Sequence, residues 1–365
     1  MNVPATLVSP KPILRPILVN GRLVIKTADL VDRIVAEIER FVFLKEQKLY
    51  RFLAIWILAS HLHQQFEYFG YFMISSRTKG CGKSSLLAIM RLLIWKPSAI
   101  LINPTRAVLF RTAQCHSQIM DEVDQWPQKT DLNDILNAGF QRMGEVLRMR
   151  KSQDGNYDHH DTFYVYSPKI LSGIRVEDRF HDMTLDRTFR LVIEKQTRGE
   201  RRERIRRNKL AGFESLRVEI EQWANDNSQR VREVYEAGNF PYLEEFDDRT
   251  IDVSEPLAAV VEILNPDLRG DLLHGIALTR QEEGAKKARA ILERLLENCP
   301  VTGSSSELAA ECFQGDLSRQ GEISRLLRQH GFKSKSIRNE DGTPGYRYEL
   351  TQPVLEEILT RYYPI

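Results

Sequence analysis

Cysteine is scarce in this chain: Cys81, Cys115, Cys299 and Cys312 are the four among 365 residues. Their spacing matches neither a metal knot nor a disulfide framework, which excludes a disulfide-stapled secreted module and fits a reducing cytoplasm. Long apolar runs are also lacking. The longest, near Leu53 to Ala59, is too short to cross a bilayer, so no membrane association is expected. Met1 to Pro16 carries two basic residues but no apolar centre, so no secretory signal is expected. Net charge is nearly absent, with 52 basic and 50 acidic residues leaving +2. No global basic field exists, and any contact with nucleic acid must come from local patches. There are no internal repeats and no low-complexity tracts. The chain is 42% hydrophobic and 28% charged, enough to build two or three domains.

Residues 76–85 read Ser-Arg-Thr-Lys-Gly-Cys-Gly-Lys-Ser-Ser. The apolar run Tyr71 to Ile74 predicts a buried strand before them, and Ser84 to Trp95 predicts a helix after them. Strand, glycine turn and helix in that order is the setting of a phosphate-binding loop. Gly80 and Gly82 allow backbone N–H groups to turn inward on phosphate oxygens, and the helix start adds positive potential. The candidates for nucleotide contact are Lys79, Gly80, Cys81, Gly82, Lys83, Ser84 and Ser85. Lys83 reaches the β- and γ-phosphates, and Ser84 offers a hydroxyl to Mg²⁺. Arg77 stands where such loops usually have a first glycine. Cys81 reads as a small, turn-tolerant residue.

His116 to Val123 predicts a strand ending in Asp121-Glu122. Asp121 suits support of Mg²⁺, and Glu122 suits orienting and polarising the attacking water, since phosphoryl transfer depends mostly on positioning and charge. Asp124 is one residue too far for that work and is expected to cap the next segment. Further strands are expected at Ala99 to Ile102, Tyr164 to Ile170 and Thr188 to Glu194. Helices are expected at Arg106 to Gln114, Asp131 to Met143 and Val176 to Leu185. Glu145 to Arg150 and Thr162 to Tyr166 read as the arms of a hairpin with a polar tip, Gln153 to Asn156. The alternation predicts an α/β fold, a parallel sheet covered by helices on both faces.

Four parts are expected. Residues 1–65 read as an arm and a helical element. Its His61 and His63 are two apart and do not share a helix face, which favours packing over metal binding. Residues 66–197 read as the P-loop core and 198–302 as a helical lid. The arginine-rich run 198–209 is expected to be a solvated helix, with contact to DNA or another subunit as the alternative. Gly303 to Ser306 reads as a linker into residues 303–365. There, two helices and a hairpin with tip Asn339 to Gly342 have the layout of a winged helix. Its second helix, Gln320 to His330, is the expected recognition helix, and Arg325, Arg328, Lys333, Lys335 and Arg338 are candidates for phosphate contact.

Several runs together resemble a known family. They are His61-Leu62-His63, Ser76 to Ser84, Asp121 to Asp124, Ile135 to Gly139, Ser167 to Ile170, Asp186-Arg187 and Asp248 to Leu257. The chain is similar over about residues 45–360 to P-loop ATPases of phages, plasmids and integrated elements, described as helicases or primase-associated ATPases. The resemblance implies a sheet like that of AAA+ and superfamily 3 helicases, with ATP and Mg²⁺ between subunits of a ring, taken as a hexamer. It implies that Arg187 is a finger acting in trans, with Arg190 as second candidate, and that Arg249 is a second sensor arginine on the γ-phosphate. It also implies that the hairpin presents Arg148, Arg150 and Lys151 to single-stranded DNA. Ser254 departs from the family, which commonly has an aromatic there, and leaves the lid packing open. The function implied is a DNA motor on single-stranded or forked DNA, with a primase as possible partner. The rival is an ATP-dependent switch that recruits a primase or polymerase without unwinding DNA, and a defence ATPase is a third reading.

Overall fold

The structure is a computed structural model. It describes residues 17–19, 22–24, 27–126, 130–150, 159–180, 182–280, 283–297, 301–313, 315–316, 320–338 and 344–362. The polar tips at 153–156 and 339–342, Cys299 and Lys151 lie outside them. The chain forms two units, Met1–Arg280 and Gln281–Ile365.

In the first unit β1 (Ile17–Val19) pairs antiparallel with β2 (Arg22–Val24). Helices α1 (Thr27–Phe41) and α2 (Gln47–Ser60) follow. Then come β3 (Tyr71–Ser76), α3 (Lys83–Leu93), β4 (Pro97–Ile102), α4 (Arg106–Ala113) and β5 (Ser117–Asp121). After these come α5 (Thr130–Ala138), β6 (Glu145–Arg150), β7 (His159–Tyr164), β8 (Lys169–Ile174), α6 (Asp182–Leu185) and β9 (Thr188–Val192). Five strands make one parallel sheet in the order β4-β5-β8-β3-β9, and β6 with β7 forms a separate antiparallel hairpin.

A parallel sheet must be covered on both faces. Helix α2 is buried from Leu49 to Ser60 except for Arg51, so it is a core layer and leaves little free surface for assembly. Its Phe52 meets Phe189 edge-on with centroids 5.2 Å apart, and Trp56 meets Phe72 at 5.5 Å. Helix α5 lies against the opposite face, where the Tyr71 hydroxyl donates to Leu136 O at 2.6 Å. The lid is α7 (Ala211–Ala237), α8 (Asp248–Leu264) and α9 (Arg269–Arg280). A side chain at Gly275 of α9 would stand 2.3 Å from the Phe52 ring, so glycine sets how closely α9 approaches α2. Ser254 is fully buried in α8.

Several boundaries differ from the sequence expectation. Helix α5 ends at Ala138, not Met143, because the chain folds back so tightly that a side chain at Gly144 would lie 1.9 Å from Ala138 O. Pro168 cannot donate to a ladder, so β8 starts after it and Ser172-Gly173 lies inside the strand. Arm β7 begins at His159 rather than Thr162. The arginine run 198–209 is not a helix but an extended segment with two short 3-10 turns, Arg198–Glu200 and Arg207–Lys209.

The second unit runs α10 (Glu283–Glu297), β10 (Val301–Gly303), α11 (Ser305–Cys312), α12 (Gln320–Gln329), β11 (Lys335–Arg338), β12 (Pro344–Leu350) and α13 (Gln352–Tyr362). Its three-stranded sheet has the order β10-β12-β11, antiparallel throughout, and the layout is that of a winged helix. Helix α10, read from sequence as lid, contributes Ile291, Leu292 and Leu295 to this unit's core with Leu308, Ile323 and Leu327. Gly303 to Ser306 is not a linker. Gly303 ends β10, and Ser304 caps α11 by accepting from Glu307 N while Glu307 accepts from Ser304 N.

Candidate nucleotide site

Strand β3 delivers the chain at Ser76 into the loop 77–82, and α3 begins at Lys83. Gly80 and Gly82 have φ of +77° and +101°, values that a side chain resists, so glycine is required there by backbone conformation. Open space surrounds Gly80. Arg77 is absent from the positive-φ positions, which explains why the loop closes without the usual first glycine. The Lys83 ammonium donates to Ser76 Oγ at 2.6 Å, and that hydroxyl donates to Thr78 O at 2.8 Å. The lysine thus folds back over its own loop. Cys81 is buried and its thiol donates to Thr78 O, which makes it a packing residue of the turn. Ser84 is exposed, and Lys79 and Gly80 face solvent.

Asp121 ends β5, two strands from β3 across β8, a separation of about 10 Å. It is partly exposed, and one of its carboxylate oxygens accepts from Glu122 N at 2.9 Å. Glu122 is exposed and holds a left-handed backbone at φ +53°, a conformation that a residue with a side chain adopts at a cost. Asp124 does not cap the next segment. It accepts from Ile174 N at 3.0 Å and pins the end of β8, where a side chain at Gly173 would lie 2.3 Å from its Oδ1. Between loop and acidic pair stands Arg175, which sequence reasoning missed. It is exposed at φ +48°, and its N–H donates to Ser76 O at 3.1 Å. Its signal in sequence was only its place one residue beyond a buried strand. Glu177 accepts from Ser75 Oγ at 2.6 Å and ties this turn to β3.

Arg187 and Arg249 lie at the other end of the sheet. Arg187 precedes β9, and its carbonyl accepts from Tyr71 N at the start of β3. Both guanidinium groups converge on one ring, at 4.8 Å (Arg187) and 5.0 Å (Arg249) from the Phe140 centroid. Phe140 is backed by Tyr68, stacked at 5.0 Å. Arg187 also donates to Asn137 Oδ1 at 3.1 Å and to Met183 O, and Arg249 pairs with Asp252 at 2.7 Å. Burial and the neighbouring Arg249 charge lower the Arg187 pKa. Strand β3 is about 17 Å from Tyr71 to Ser76, so in this conformation neither arginine reaches the subunit's own loop. Arg190 instead donates to Arg280 O at 3.3 Å, a bond inside the unit. Beneath the cluster Lys169 is fully buried and donates to Val165 O (2.7 Å) and Ser167 O (3.1 Å), and burial lowers its pKa to about 7.

A cavity of about 180 Å³ lies along the outer edge of β9, lined by Phe43, Leu49, Val192, Glu194 and Leu278 among others. The chain that lines it at Glu194 runs on toward the loop: Gln196 places its Nε2 3.8 Å from where a Gly82 side chain would start.

No protein-family model and no curated protein sequence matches the chain. Solved structures do match it. One, described as "SCCmec type IV Cch - active helicase", is 11% identical with a TM-score of 0.41, covering 83% of this chain and 67% of that one. Another, the Thermotoga maritima RuvB Holliday junction branch migration motor, is 15% identical with a TM-score of 0.30, covering 87% and 95%. At these identities and scores neither gives a role to any residue here.

The candidates for nucleic-acid contact fare unequally. Arg148 lies over the Phe110 ring at 4.7 Å, opposite Asp161 in the hairpin, so it is drawn onto α4 rather than left free. Leu147 and Met149 are exposed on the hairpin's other face. The Arg150 side chain and Lys151 lie outside the described parts. In the winged helix Arg325, Arg328 and Lys333 are exposed, whereas Lys335 is paired with Glu349 at 2.6 Å. His63 is a buried and His61 a half-buried neutral packing residue. His61 Nε2 bonds Leu93 O, His63 Nδ1 bonds Ser60 O, and burial lowers their pKa values to about 4 and about 3. No cluster fit to hold a metal by His, Cys, Asp and Glu alone occurs among the described residues.

Proposed function

We propose that this chain is an ATP-hydrolysing DNA motor that works as a ring, a replicative helicase of a mobile genetic element. One observation carries the reading. The residues read as holding phosphate and those read as meeting its charge in the transition state occupy opposite ends of one sheet. Lys83, Asp121 and Glu122 lie at the ends of β3 and β5, while Arg187 and Arg249 lie at the start of β9 and on the lid. A complete site then requires two copies, the first giving the loop and the next giving the arginines.

In that site the N–H groups of Gly80 to Lys83 and the Lys83 ammonium hold the β- and γ-phosphates. The donor set fits a magnesium nucleotide: Ser84 and Asp121 would hold Mg²⁺, which supplies charge neutralisation on the phosphates. The cavity beside β9 takes the base. Glu122 orients the attacking water and accepts its proton as the bond to the γ-phosphorus forms and the bond to ADP breaks. Arg187 and Arg249 of the neighbour balance charge on the transferred group, a contribution of about 10³–10⁵ in rate for such fingers. Arg175, at the end of β8 between the loop and the acidic pair, stands beside the γ-phosphate.

The test is complementation. Lys83→Ala and Arg187→Ala should each abolish turnover alone, with nucleotide binding lost in the first and kept in the second. Mixing the two inactive proteins should restore part of the activity, because some interfaces join an intact loop to an intact arginine. Failure to recover in stable mixed particles would remove the shared site.

A further inference from the structure

The arginine-rich segment 198–209 holds charge that the nucleotide site does not use. In a helix, Glu200 and Glu203 would lie one turn from Arg204 and Arg207 and neutralise them. The segment is not helical. Arg201 (φ −60°, ψ 133°) and Arg206 (φ −138°, ψ 147°) are extended, and the run lies across the unit as a strap. Its two acids are engaged by partners other than the five outward arginines. Glu200 closes a capping box by accepting from Thr197 N at 2.9 Å. Glu203 accepts from Arg40 (3.3 Å) and from Lys209 (2.6 Å), and its own N–H donates to Arg40 O at 3.0 Å. Arg202 lies over the Phe43 ring at 5.5 Å, while Ile205 packs on the core.

These anchors order the strap and leave a set of arginines outside it. Arg198, Arg201, Arg204, Arg206 and Arg207 are all exposed, and none makes a side-chain hydrogen bond or ion pair among the described residues. A chain of net charge +2 has concentrated positive charge on an extended, solvent-facing segment whose two acids are already engaged. Guanidinium groups in such a row match a row of phosphodiesters, each taking a planar two-point contact.

We propose that the strap 198–209 is a nucleic-acid backbone-binding surface, separate from the hairpin and from the winged helix. It starts directly after Gln196, the residue beside Gly82, so a strand held there lies next to the phosphate loop. The surface stands without the nucleotide reading, which is measured separately.

The experiment compares the full chain with the triple variant Arg201→Ala, Arg204→Ala, Arg207→Ala and with the same positions changed to lysine. Binding of a labelled oligo-dT and of a duplex of equal length is followed by anisotropy across salt, with DNA-free ATP turnover and particle mass alongside. For single strands each phosphate contact contributes about 0.7 to the slope of log K against log salt, and for duplex about 0.9. The alanine variant should bind at least about tenfold more weakly at moderate salt, with the slope reduced by about two. The lysine variant should keep most of the slope, and basal turnover should be unchanged in both. The form whose slope falls is the form the strap holds. Unchanged affinity and slope for both DNAs would overturn the proposal. So would a loss of assembly with unaltered DNA binding, which would make the strap a contact between copies. Loss of basal turnover with DNA binding intact would overturn this surface and leave the nucleotide reading as it stands.

Discussion

Lys83, folded back onto Ser76 Oγ at 2.6 Å, is pre-positioned over the loop, and Gly82 holds the turn that puts it there at φ +101°. Gly82→Ala should cost about 1–3 kcal/mol of backbone strain, localised in the loop. The expected result is a loss of at least tenfold in nucleotide affinity by fluorescence titration, with only a small shift in the urea midpoint. The packing histidines give a second prediction. His61 and His63 have folded pKa values of about 4 and about 3 against an ordinary value of 6.5, so the unfolded chain binds more protons between those limits. Stability contributed by the neutral rings is present above pH 6.5 and is lost as pH falls toward 3. The sign is opposite to that of a salt-bridged histidine. Urea midpoints measured from pH 7 to pH 4 should fall, and His63→Phe should flatten the curve. At this scale the loop was legible from sequence, because glycine and lysine spacing is local chemistry. Arg175 was not: its meaning depends on β8 lying between β5 and β3, a neighbourhood that no short window of sequence contains.

Phe140 shows how elements, rather than single residues, prepare the trans half of the site. The turn after α5 places its ring under two guanidinium groups, one from the residue before β9 and one from the first turn of α8. Phe140→Leu removes the platform but keeps the apolar volume. Turnover should fall about tenfold or more while ATP binding stays within about twofold; equal losses in both would mean a general disturbance. Sequence resemblance placed Arg249 on the γ-phosphate without indicating whose. The packing of α8 against the turn at Phe140 is what supports the trans assignment proposed here, and such packing is tertiary. The same holds for α10, whose apolar stripe announces a buried face but not which core receives it. The strap 198–209 was misread because its composition suits a helix, whereas Ile205 and Glu203 gain more from their anchors on the first unit. In the second unit, Ser304→Ala should cost about 1 kcal/mol through loss of the α11 cap, seen as a lower midpoint for that unit and no change in nucleotide affinity.

The molecule as a whole has its phosphate-binding edge and its arginine edge on opposite ends of one sheet, and this polarity is what a head-to-tail ring requires. The alternation of strands and helices announced the parallel sheet. It did not announce that Arg187 and Arg249 would stand at the end of the sheet away from the loop, which depends on strand order. The account therefore stands on assembly and turnover going together. The most direct measurement is ATP hydrolysis by the purified chain, with and without single-stranded DNA, on particles sized by mass at the same nucleotide concentration. The account predicts turnover confined to a ring-sized particle and stimulated by DNA. A monomer that hydrolyses ATP at full rate, indifferent to DNA, would contradict it.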